Sequence, residues 1–130
     1  MSEAELKEDE HKPAKYKILK SAFEFDDYMS KIDIEAPVLI QFTAMWCRKC
    51  TSLKQEVAKN FDEHLQWVSV DIDEAFELQE RFSVTKLPRF DVFFGGRATT
   101  LESFEATIEN LRPLLRVEKR PPLILDNDDF

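Results

Sequence analysis

The feature of this sequence that most constrains its fold is an apolar run, Val38–Thr43 (VLIQFT), that does not alternate with polar residues. A run of this kind, bounded by turn-forming residues such as the preceding proline, is typical of a central strand buried on both faces. Beyond it, apolar residues recur every fourth position, as on one stripe of an amphipathic helix that starts near Cys47. The stripe consists of Leu53, Val57 and Phe61. The sequence therefore predicts a buried strand followed directly by a helix.

The remaining segments predict further strands and helices in alternation. Residues 16–19 predict a short strand, and Ser21 predicts the N-cap of a helix that follows it. Residues 67–70, extended by Ile72, predict another strand, and residues 74–82 predict the next helix. The apolar residues of the first of these helices are Phe23, Phe25, Tyr28 and Met29.

Two strands and a last helix complete the pattern. Residues 90–94 and 97–101 flank a Gly-Gly pair, so they predict an antiparallel hairpin. Ser103 predicts the start of the last helix, in which Pro113 predicts a kink or an early end. The apolar face of that helix consists of Phe104, Ile108, Leu111 and Leu115. The order β α β α β α β β α predicts an α/β fold, with a mixed sheet of about five strands flanked by helices on both faces.

One folded domain is predicted, over residues 14–117. A chain of 130 residues and 15.3 kDa can bury an ordinary core without metal or disulfide staples, so cysteines are not needed as scaffolding. Residues 1–13 are polar and mostly charged, which is typical of a disordered acidic lead-in. Residues 118–130 contain a proline pair and close with acids, so they predict an extended acidic tail.

The charge of the chain restricts its partners. Eighteen Lys and Arg against 26 Asp and Glu leave a net charge of −8, which repels phosphate backbones and anionic lipid heads. We therefore expect neither nucleic acid nor a membrane as a partner. No apolar run approaches the ~20 residues that span a bilayer, and the first residues lack the apolar region of a secretory signal. The expected location is the cytoplasm, with the plastid stroma, after removal of a transit peptide, as the alternative.

The only two cysteines of the chain lie three residues apart in the segment 44–50 (AMWCRKC). If Cys47 is at the first turn of the predicted helix, Cys50 lies one turn on and on the same side, close enough for a reversible disulfide. Free N–H groups and the positive end of the helix dipole favour the thiolate of Cys47. We therefore predict dithiol redox chemistry, with Cys47 as the nucleophile and Cys50 as the resolving cysteine.

Two cations lie between the cysteines. Arg48 and Lys49 are expected to lower the pKa of Cys47 further and to stabilise the reduced form. One pKa unit corresponds to about 30 mV for a two-electron couple. Because these side chains are expected to be exposed, we predict a fraction of that shift, in the less reducing direction.

Two other interpretations of the cysteine pair remain open at this point. A Cys-x-x-Cys pair can be half of a zinc site, but only His11 and His64 could complete it. The pair could also be two ordinary core cysteines, although the neighbouring Trp46, Arg48 and Lys49 indicate an exposed corner.

Three segments carry a resemblance to a known family: VLIQFTAMWCRKC, WVSVDID and VTKLPRFDVFFGG. In order and spacing, from about Tyr16 to Leu115, they resemble thioredoxin. The resemblance implies a thioredoxin fold. The pentapeptide WCRKC, in place of the family's usual WCGPC, resembles the thioredoxin-like proteins of photosynthetic eukaryotes that are named for it.

The resemblance also implies a set of substrate-binding residues. Leu87 and Pro88 match the family's cis-proline pair, in which the proline lies opposite the disulfide and the preceding backbone pairs with an extended substrate. Trp46 matches the aromatic residue that flanks the nucleophile on the rim of the site. With these we group Arg48 and Lys49 as predicted substrate contacts. Arg89, directly after the proline, is expected to be a solvated surface residue; the alternative is an extension of the positive rim that selects acidic targets.

Besides Arg48 and Lys49, which replace the family's Gly-Pro, two further positions depart from the family pattern. Gln41 stands where the family usually has a buried aspartate that helps to deprotonate the resolving cysteine, and Ser69 stands where many members have the lysine that pairs with it. Because glutamine cannot take a proton, we expect either slower resolution by Cys50 or resolution that draws its base from water or from Lys49.

The predicted function is that of a thioredoxin-like protein-disulfide oxidoreductase. Its predicted partners are disulfide-containing protein substrates and a recycling reductase or the glutathione system; we expect a monomer that needs no bound cofactor. The alternative is a non-catalytic binding module with a thioredoxin fold. Oxidase or isomerase activity would follow from a redox potential well above about −270 mV.

Overall fold

The computed structural model describes residues 12–116. The predicted tail, 118–130, lies outside the described residues, and so does the predicted lead-in, 1–13, except for Lys12 and Pro13. Those two residues pair with the segment before the third strand: Pro13 forms an isolated bridge with Asp62, and the Glu63 N–H donates to the Lys12 carbonyl at 3.0 Å.

Five strands and four α-helices make up the described chain. The strands are β1 (Lys17–Leu19), β2 (Val38–Thr43), β3 (Gln66–Asp71), β4 (Arg89–Phe94) and β5 (Arg97–Glu102). The helices are α1 (Ala22–Met29), α2 (Arg48–Asn60), α3 (Phe76–Arg81) and α4 (Ile108–Leu115), with a short 3-10 helix at Ser103–Glu105. Ser21 caps α1 as predicted, since its Oγ accepts a hydrogen bond from the Glu24 N–H at 3.1 Å.

The strands form one mixed sheet in the order β1-β3-β2-β4-β5. β2 and β3 are parallel, β1 is parallel to β3, and the hairpin β4–β5 joins β2 in the antiparallel direction. The predicted mixed sheet of about five strands is therefore confirmed, including its closing hairpin.

The sheet is covered on both faces. Val38, Ile40 and Phe42 of β2 belong to the core under α1 and α3, whereas Leu39 belongs to the core under α2 and α4. All six residues of β2 are buried, which is why this strand shows no polar alternation in the sequence. Because the chain leaves β2 at its carboxyl end and enters α2 at once, the segment 44–47 lies at that edge of the sheet.

The predicted start of the last helix is wrong. Ser103 has a positive φ of 57°, and its N–H donates to the Pro88 carbonyl at 2.9 Å, so it cannot begin an α-helix. The helix begins after Thr107, whose Oγ1 accepts from the Asn110 N–H at 3.1 Å, and Phe104 is exposed instead of facing the core. Pro113 lies inside α4, which ends two residues later.

Two smaller differences concern the segment between β3 and α3. β3 ends at Asp71, one residue before Ile72, and α3 begins at Phe76 instead of at Glu74. The Asp71 carboxylate accepts a hydrogen bond from the Asp73 N–H at 2.8 Å, and the Asp71 carbonyl accepts from the Ala75 N–H at 2.8 Å. These bonds close a turn where helix was predicted.

Candidate active site

Cys47 is the N-cap residue of α2. Its backbone is extended (φ −94°, ψ 97°), and its Sγ accepts a hydrogen bond from the Cys50 N–H at 3.2 Å. The sulfur thus occupies the position in which a serine or aspartate oxygen usually caps a helix. Because unpaired N–H groups and the positive end of the helix dipole converge there, the position favours a negatively charged sulfur.

Cys50 lies on the first turn of α2 and is completely buried. It forms a disulfide with Cys47, and the two Cα atoms are 5.3 Å apart. Its Sγ lies 4.0 Å from the carbonyl oxygen of Phe42, at the end of β2. Cys47 keeps 7% of its surface exposed, whereas Cys50 has none. Only Cys47 is therefore within reach of a group in solution.

Arg48 and Lys49 are both exposed, as predicted. Neither forms an ion pair within residues 12–116. Lys49 lines a groove of about 380 Å³ between α2 and α4, together with Thr107 and Arg112. This groove lies on the surface of the helix, away from the buried sulfur of Cys50, so the geometry does not favour Lys49 as its base.

The peptide bond between Leu87 and Pro88 is cis, as the family resemblance implied. Leu87 is half-buried and packs against the cluster formed by Ala44, Cys47 and Cys50, and Pro88 is buried. The Pro88 carbonyl is held by the N–H of Ser103. The structure thus brings Leu87 of the predicted proline pair against the cluster that contains both cysteines.

Trp46 is 67% exposed beside Cys47, and its indole N–H donates to Oδ2 of Asp73 at 3.0 Å. Asp73 follows β3, so this bond joins the segments after two neighbouring strands. Asp73 was not predictable as a site residue, because three acids follow one another closely in the segment 71–74 and no pattern distinguishes the one that contacts Trp46.

Gln41 and Ser69 are register partners in β2 and β3, and both are buried. The Gln41 amide nitrogen donates to the Cys50 carbonyl at 3.2 Å, and its amide oxygen accepts from the indole N–H of Trp67 at 3.3 Å. A neutral side chain with both ends hydrogen-bonded therefore lies beneath the resolving cysteine. Trp67, predicted only as a residue of a strand, is part of this arrangement.

The prediction of a solvated Arg89 is wrong, and so is its alternative as part of the rim. The Arg89 side chain is 10% exposed and forms a two-pronged ion pair with Asp91, whose side chain is 3% exposed. This hydrogen bonding is the main reason why the pKa of Arg89 is raised above its usual value. In a strand, residues two apart share a face, so an Arg two positions before an Asp was the available signal for this pair.

The residues of the zinc interpretation do not meet. His64 is exposed and precedes β3, whereas the cysteines follow β2. Because β2 and β3 are parallel neighbours, His64 and the cysteines lie at opposite edges of the sheet, one strand length apart. His11 lies outside the described residues. In the part of the chain that the structure describes, no three His, Cys, Asp or Glu side chains converge on a metal position. Within the same residues, no helix is long and apolar enough to cross a bilayer.

Comparisons with known proteins agree with this geometry. The thioredoxin family model matches residues 16–115. Thioredoxin 1 of Plasmodium falciparum is 29% identical over 100 residues, which cover 73% of this chain and 92% of that protein. Thioredoxin Y, chloroplastic, of Oryza sativa is 32% identical over 76 residues, which cover 56% of this chain but only 44% of that protein.

Solved structures give the same result. The structure of Plasmodium falciparum thioredoxin has a TM-score of 0.60 and 30% identity, and covers 76% of this chain and 95% of that one. Thioredoxin of Malassezia sympodialis, at 21% identity, has a TM-score of 0.65 over 79% of this chain and 90% of that one, which shows the shared fold. The α/β fold is thus the thioredoxin fold, and a cysteine pair at disulfide distance supports thiol–disulfide oxidoreductase activity. On the match of the family model to residues 16–115, this chain belongs to the thioredoxin family.

Proposed function

We propose that this chain is a protein-disulfide oxidoreductase in which Cys47 is the nucleophile and Cys50 the resolving cysteine. In the first step, the Cys47 thiolate attacks one sulfur of a target disulfide. The target's S–S bond breaks, its other sulfur leaves as a thiolate and takes up a proton, and Cys47 is joined to the target in a mixed disulfide.

In the second step, Cys50 loses its proton and attacks Sγ of Cys47. The mixed disulfide breaks, the target's second sulfur leaves as a thiolate that is then protonated, and the Cys47–Cys50 disulfide forms. The target has gained two electrons and two protons, which the two cysteines have lost. Proteins of the thioredoxin family act on disulfide substrates and are recycled by thioredoxin reductase; for this chain we propose such a reductase or the glutathione system as the donor.

One observation carries the proposal: the Sγ of Cys47 caps α2 and accepts the N–H of Cys50 at 3.2 Å. This contact supplies a partial positive charge to one sulfur of a pair that is already at disulfide distance. The more accessible cysteine is thereby the one activated as a thiolate, and the buried one is kept for the second step.

We further propose that the target binds across Trp46 and Leu87. The N–H and carbonyl of Leu87 form no hydrogen bond within residues 12–116, so both are available to an extended peptide. Pro88 fixes the direction of this backbone, while the exposed Arg48 and Lys49, between the two cysteines in the chain, provide positive charge. No bound cofactor is required, since the electrons pass between sulfurs, and a monomer is sufficient.

The test is covalent trapping with two matched variants. Cys50→Ser should accumulate mixed disulfides with protein targets, because the second step is blocked; Cys47→Ser should form none. The species are separated on non-reducing gels and disappear after treatment with dithiothreitol. Equal trapping by the two variants would contradict the assignment of Cys47 as the nucleophile.

The alternative function is a non-catalytic binding module. The observation that favours it is the neutral Gln41 beneath Cys50, which offers no base for the second step. A module of this kind would retain its partners after reduction of the cysteines and would trap none covalently. The trapping experiment therefore separates the two functions.

Within the family, we assign the chain to the WCRKC-type thioredoxin-like proteins on its pentapeptide 46–50. For the compartment, we propose the cytoplasm, with the plastid stroma as the alternative supported by relatives from rice and Arabidopsis that are named chloroplastic. Immunoblots of purified plastid stroma and of cytosol, probed with an antibody raised against this chain, distinguish the two locations.

A further inference from the structure

The segment that carries Leu87, residues 83–88, is fixed at its two ends and unpaired in its middle; we call it the proline segment. At its start, Gln79 exchanges hydrogen bonds with Val84, its carbonyl accepting at 3.0 Å and its side chain donating at 2.8 Å. At its end, the Pro88 carbonyl accepts the N–H of Ser103. Residues 85–87 form no hydrogen bond within the described chain, so the direction of the Leu87 backbone depends on these anchors.

Arg89 supplies a further anchor at the start of the segment. Its Nη1 donates to the Ser83 carbonyl at 3.3 Å. Its Nε and Nη2 donate to the two carboxylate oxygens of Asp91 at 2.7 and 3.0 Å. The two-pronged contact fixes the plane of the guanidinium. Its remaining nitrogen, Nη1, therefore points at the Ser83 carbonyl with no further loss of side-chain freedom.

The same guanidinium lies over the ring of Phe42 in β2, on the face of the sheet that α1 and α3 cover. Its carbon is 5.4 Å from the centre of the Phe42 ring, and Phe42 is the register partner of Arg89. The carbonyl of Phe42 is the group next to the Cys50 sulfur. Arg89 therefore touches both the strand residue that supports Cys50 and the start of the segment that brings Leu87 onto the cysteines.

Stability alone does not account for this pair of buried charges. Removing an arginine and a carboxylate from water costs free energy that their attraction repays only in part, and apolar pairs of similar volume often fit as well. A planar side chain with five donors has a property that apolar residues lack, which is that it bonds several groups in fixed directions.

We propose that Arg89 is a positioning residue for target binding: by holding Ser83 and Asp91 together, it orients the proline segment so that the Leu87 backbone faces an incoming peptide. This inference rests on the proposed function, since it assumes that protein targets pair with Leu87. Arg89 touches no reacting atom. Its effect is on the binding of extended peptides and not on the chemistry of Cys47.

The test replaces both charges at once, because a single replacement would leave the other charge buried and unpaired. The variant Arg89→Leu/Asp91→Leu is assayed with insulin, whose chains can pair with Leu87, and with dithiobis-nitrobenzoate, a small disulfide that cannot. Dithiothreitol is the electron donor with insulin; the small disulfide is instead mixed with protein that has been reduced beforehand and freed of dithiothreitol, and the release of its thiolate is followed over a single turnover. We expect KM for insulin to rise about tenfold, a factor that corresponds to freeing the backbone of about one residue. We expect kcat for insulin and the rate with the small disulfide to stay unchanged.

The matched control is Asp26→Leu/Arg81→Leu, which removes another ion pair between elements on the same face of the sheet. It should leave KM for insulin unchanged. The inference is overturned if the Arg89 variant keeps the wild-type KM, or if it loses activity equally with both substrates.

A second variant covers the case in which the double replacement does not fold. Arg89→Lys keeps a positive charge beside Asp91 but has no planar fork to reach Ser83 as well. This variant should also raise KM for insulin, and it should increase the rate of hydrogen exchange in the proline segment. If both quantities keep their wild-type values in Arg89→Lys, the inference is overturned. Failure of the proposed function is recognised separately, since wild type and Cys47→Ser would then reduce insulin equally slowly.

Discussion

The indole nitrogen of Trp67 donates a hydrogen bond of 3.3 Å to the amide oxygen of Gln41. Because an indole N–H can only donate, this bond determines which end of the Gln41 amide faces Trp67 and which end faces the Cys50 carbonyl. Gln41 is completely buried, and neither of its partners titrates. The side chain beneath the resolving cysteine therefore has no titratable group, and neither do the two groups that it bonds.

Replacing Gln41 with glutamic acid, which has almost the same shape, is expected to introduce pH-dependent stability. The protonated acid can donate to the Cys50 carbonyl and accept from Trp67, so it reproduces both hydrogen bonds. The carboxylate cannot donate, and burial disfavours its charge, so the pKa of the new group is raised in the folded state. The folded state then binds more protons than the unfolded state, and stability falls as pH rises above the unfolded value, by about 1.4 kcal/mol per pH unit until the folded-state pKa is reached.

Urea unfolding of oxidised Gln41→Glu and wild type, measured from pH 4 to pH 8, checks this expectation. The two curves should nearly coincide at pH 4 and separate at higher pH. Gln41→Leu serves as the control, because it loses both hydrogen bonds without gaining a titratable group. It should be less stable by about 1–3 kcal/mol at every pH, as for buried polar groups that lose their partners. A constant difference between Gln41→Glu and wild type would show that the site is hydrated.

The sequence predicted the elements of this fold where the local pattern of apolar and polar residues shows which side chains are buried. Val38–Thr43 lacks polar alternation because helices cover both faces of β2, and the stripe that begins at Leu53 follows the period of α2. The position of Cys47 at the helix start also followed from this pattern. Such features depend on near neighbours in the chain, which the sequence displays directly.

Features that depend on distant partners were not predictable in the same way. Ser103 was predicted as an N-cap from its residue type, but its φ is positive and its N–H donates to the Pro88 carbonyl, a distant partner that the local sequence does not show. An arginine is usually a surface residue, yet Arg89 is buried. Its charge is compensated by the ion pair with Asp91, the hydrogen bond to the Ser83 carbonyl and the contact with the Phe42 ring. Neither arrangement can be recognised without the sheet register.

Reduced Cys47 is expected to react with iodoacetamide about threefold faster at pH 7 than a cysteine in an unstructured peptide. The contact with the Cys50 N–H favours the thiolate, while the lower basicity of a stabilised thiolate offsets part of the gain. Cys50 should remain unmodified until the protein is unfolded, since it has no exposed surface. Mass spectrometry of each cysteine over time measures both rates.

A peptide of residues 44–50 with Cys50→Ser provides the matched control. It keeps Arg48 and Lys49 but has no folded helix, so it isolates the contribution of the helix start. Equal rates for the peptide and the protein would mean that the N-cap position does not activate Cys47.

The ion pair between Asp26 of α1 and Arg81 of α3 is expected to contribute stability only above acidic pH. The hydrogen bond from Arg81 is the main cause that lowers the pKa of Asp26 below 3.8, its ordinary value. The folded state therefore binds fewer protons than the unfolded state in this range. The contribution is complete above the ordinary value and is lost as pH falls through the lowered pKa.

A double-mutant cycle of Asp26→Asn and Arg81→Gln, measured by urea unfolding at pH 7 and at pH 2.5, tests this expectation. The coupling between the two positions should be favourable at pH 7, weaker in 0.5 M salt and smallest at pH 2.5. Since both side chains are largely exposed, we expect a small coupling. A coupling that did not change with pH would contradict the role of the Asp26 charge.

The variant Arg48→Gln/Lys49→Gln is expected to make the cysteine couple more reducing. Both cations lie next to Cys47 and stabilise the thiolate of the reduced form, so their removal lowers the reduction potential. A full pKa unit would correspond to about 30 mV, and since both side chains are exposed we expect about 10 mV, less in 0.5 M salt. Lys59→Gln is the matched control, because that exposed lysine lies in the last turn of the same helix, about 15–20 Å away by the helical rise. Equilibration with glutathione buffers of known ratio gives the midpoint potentials of wild type and the two variants. A shift of the double variant toward more oxidising values, or an equal shift for Lys59→Gln, would show that the cations between the cysteines do not set the potential.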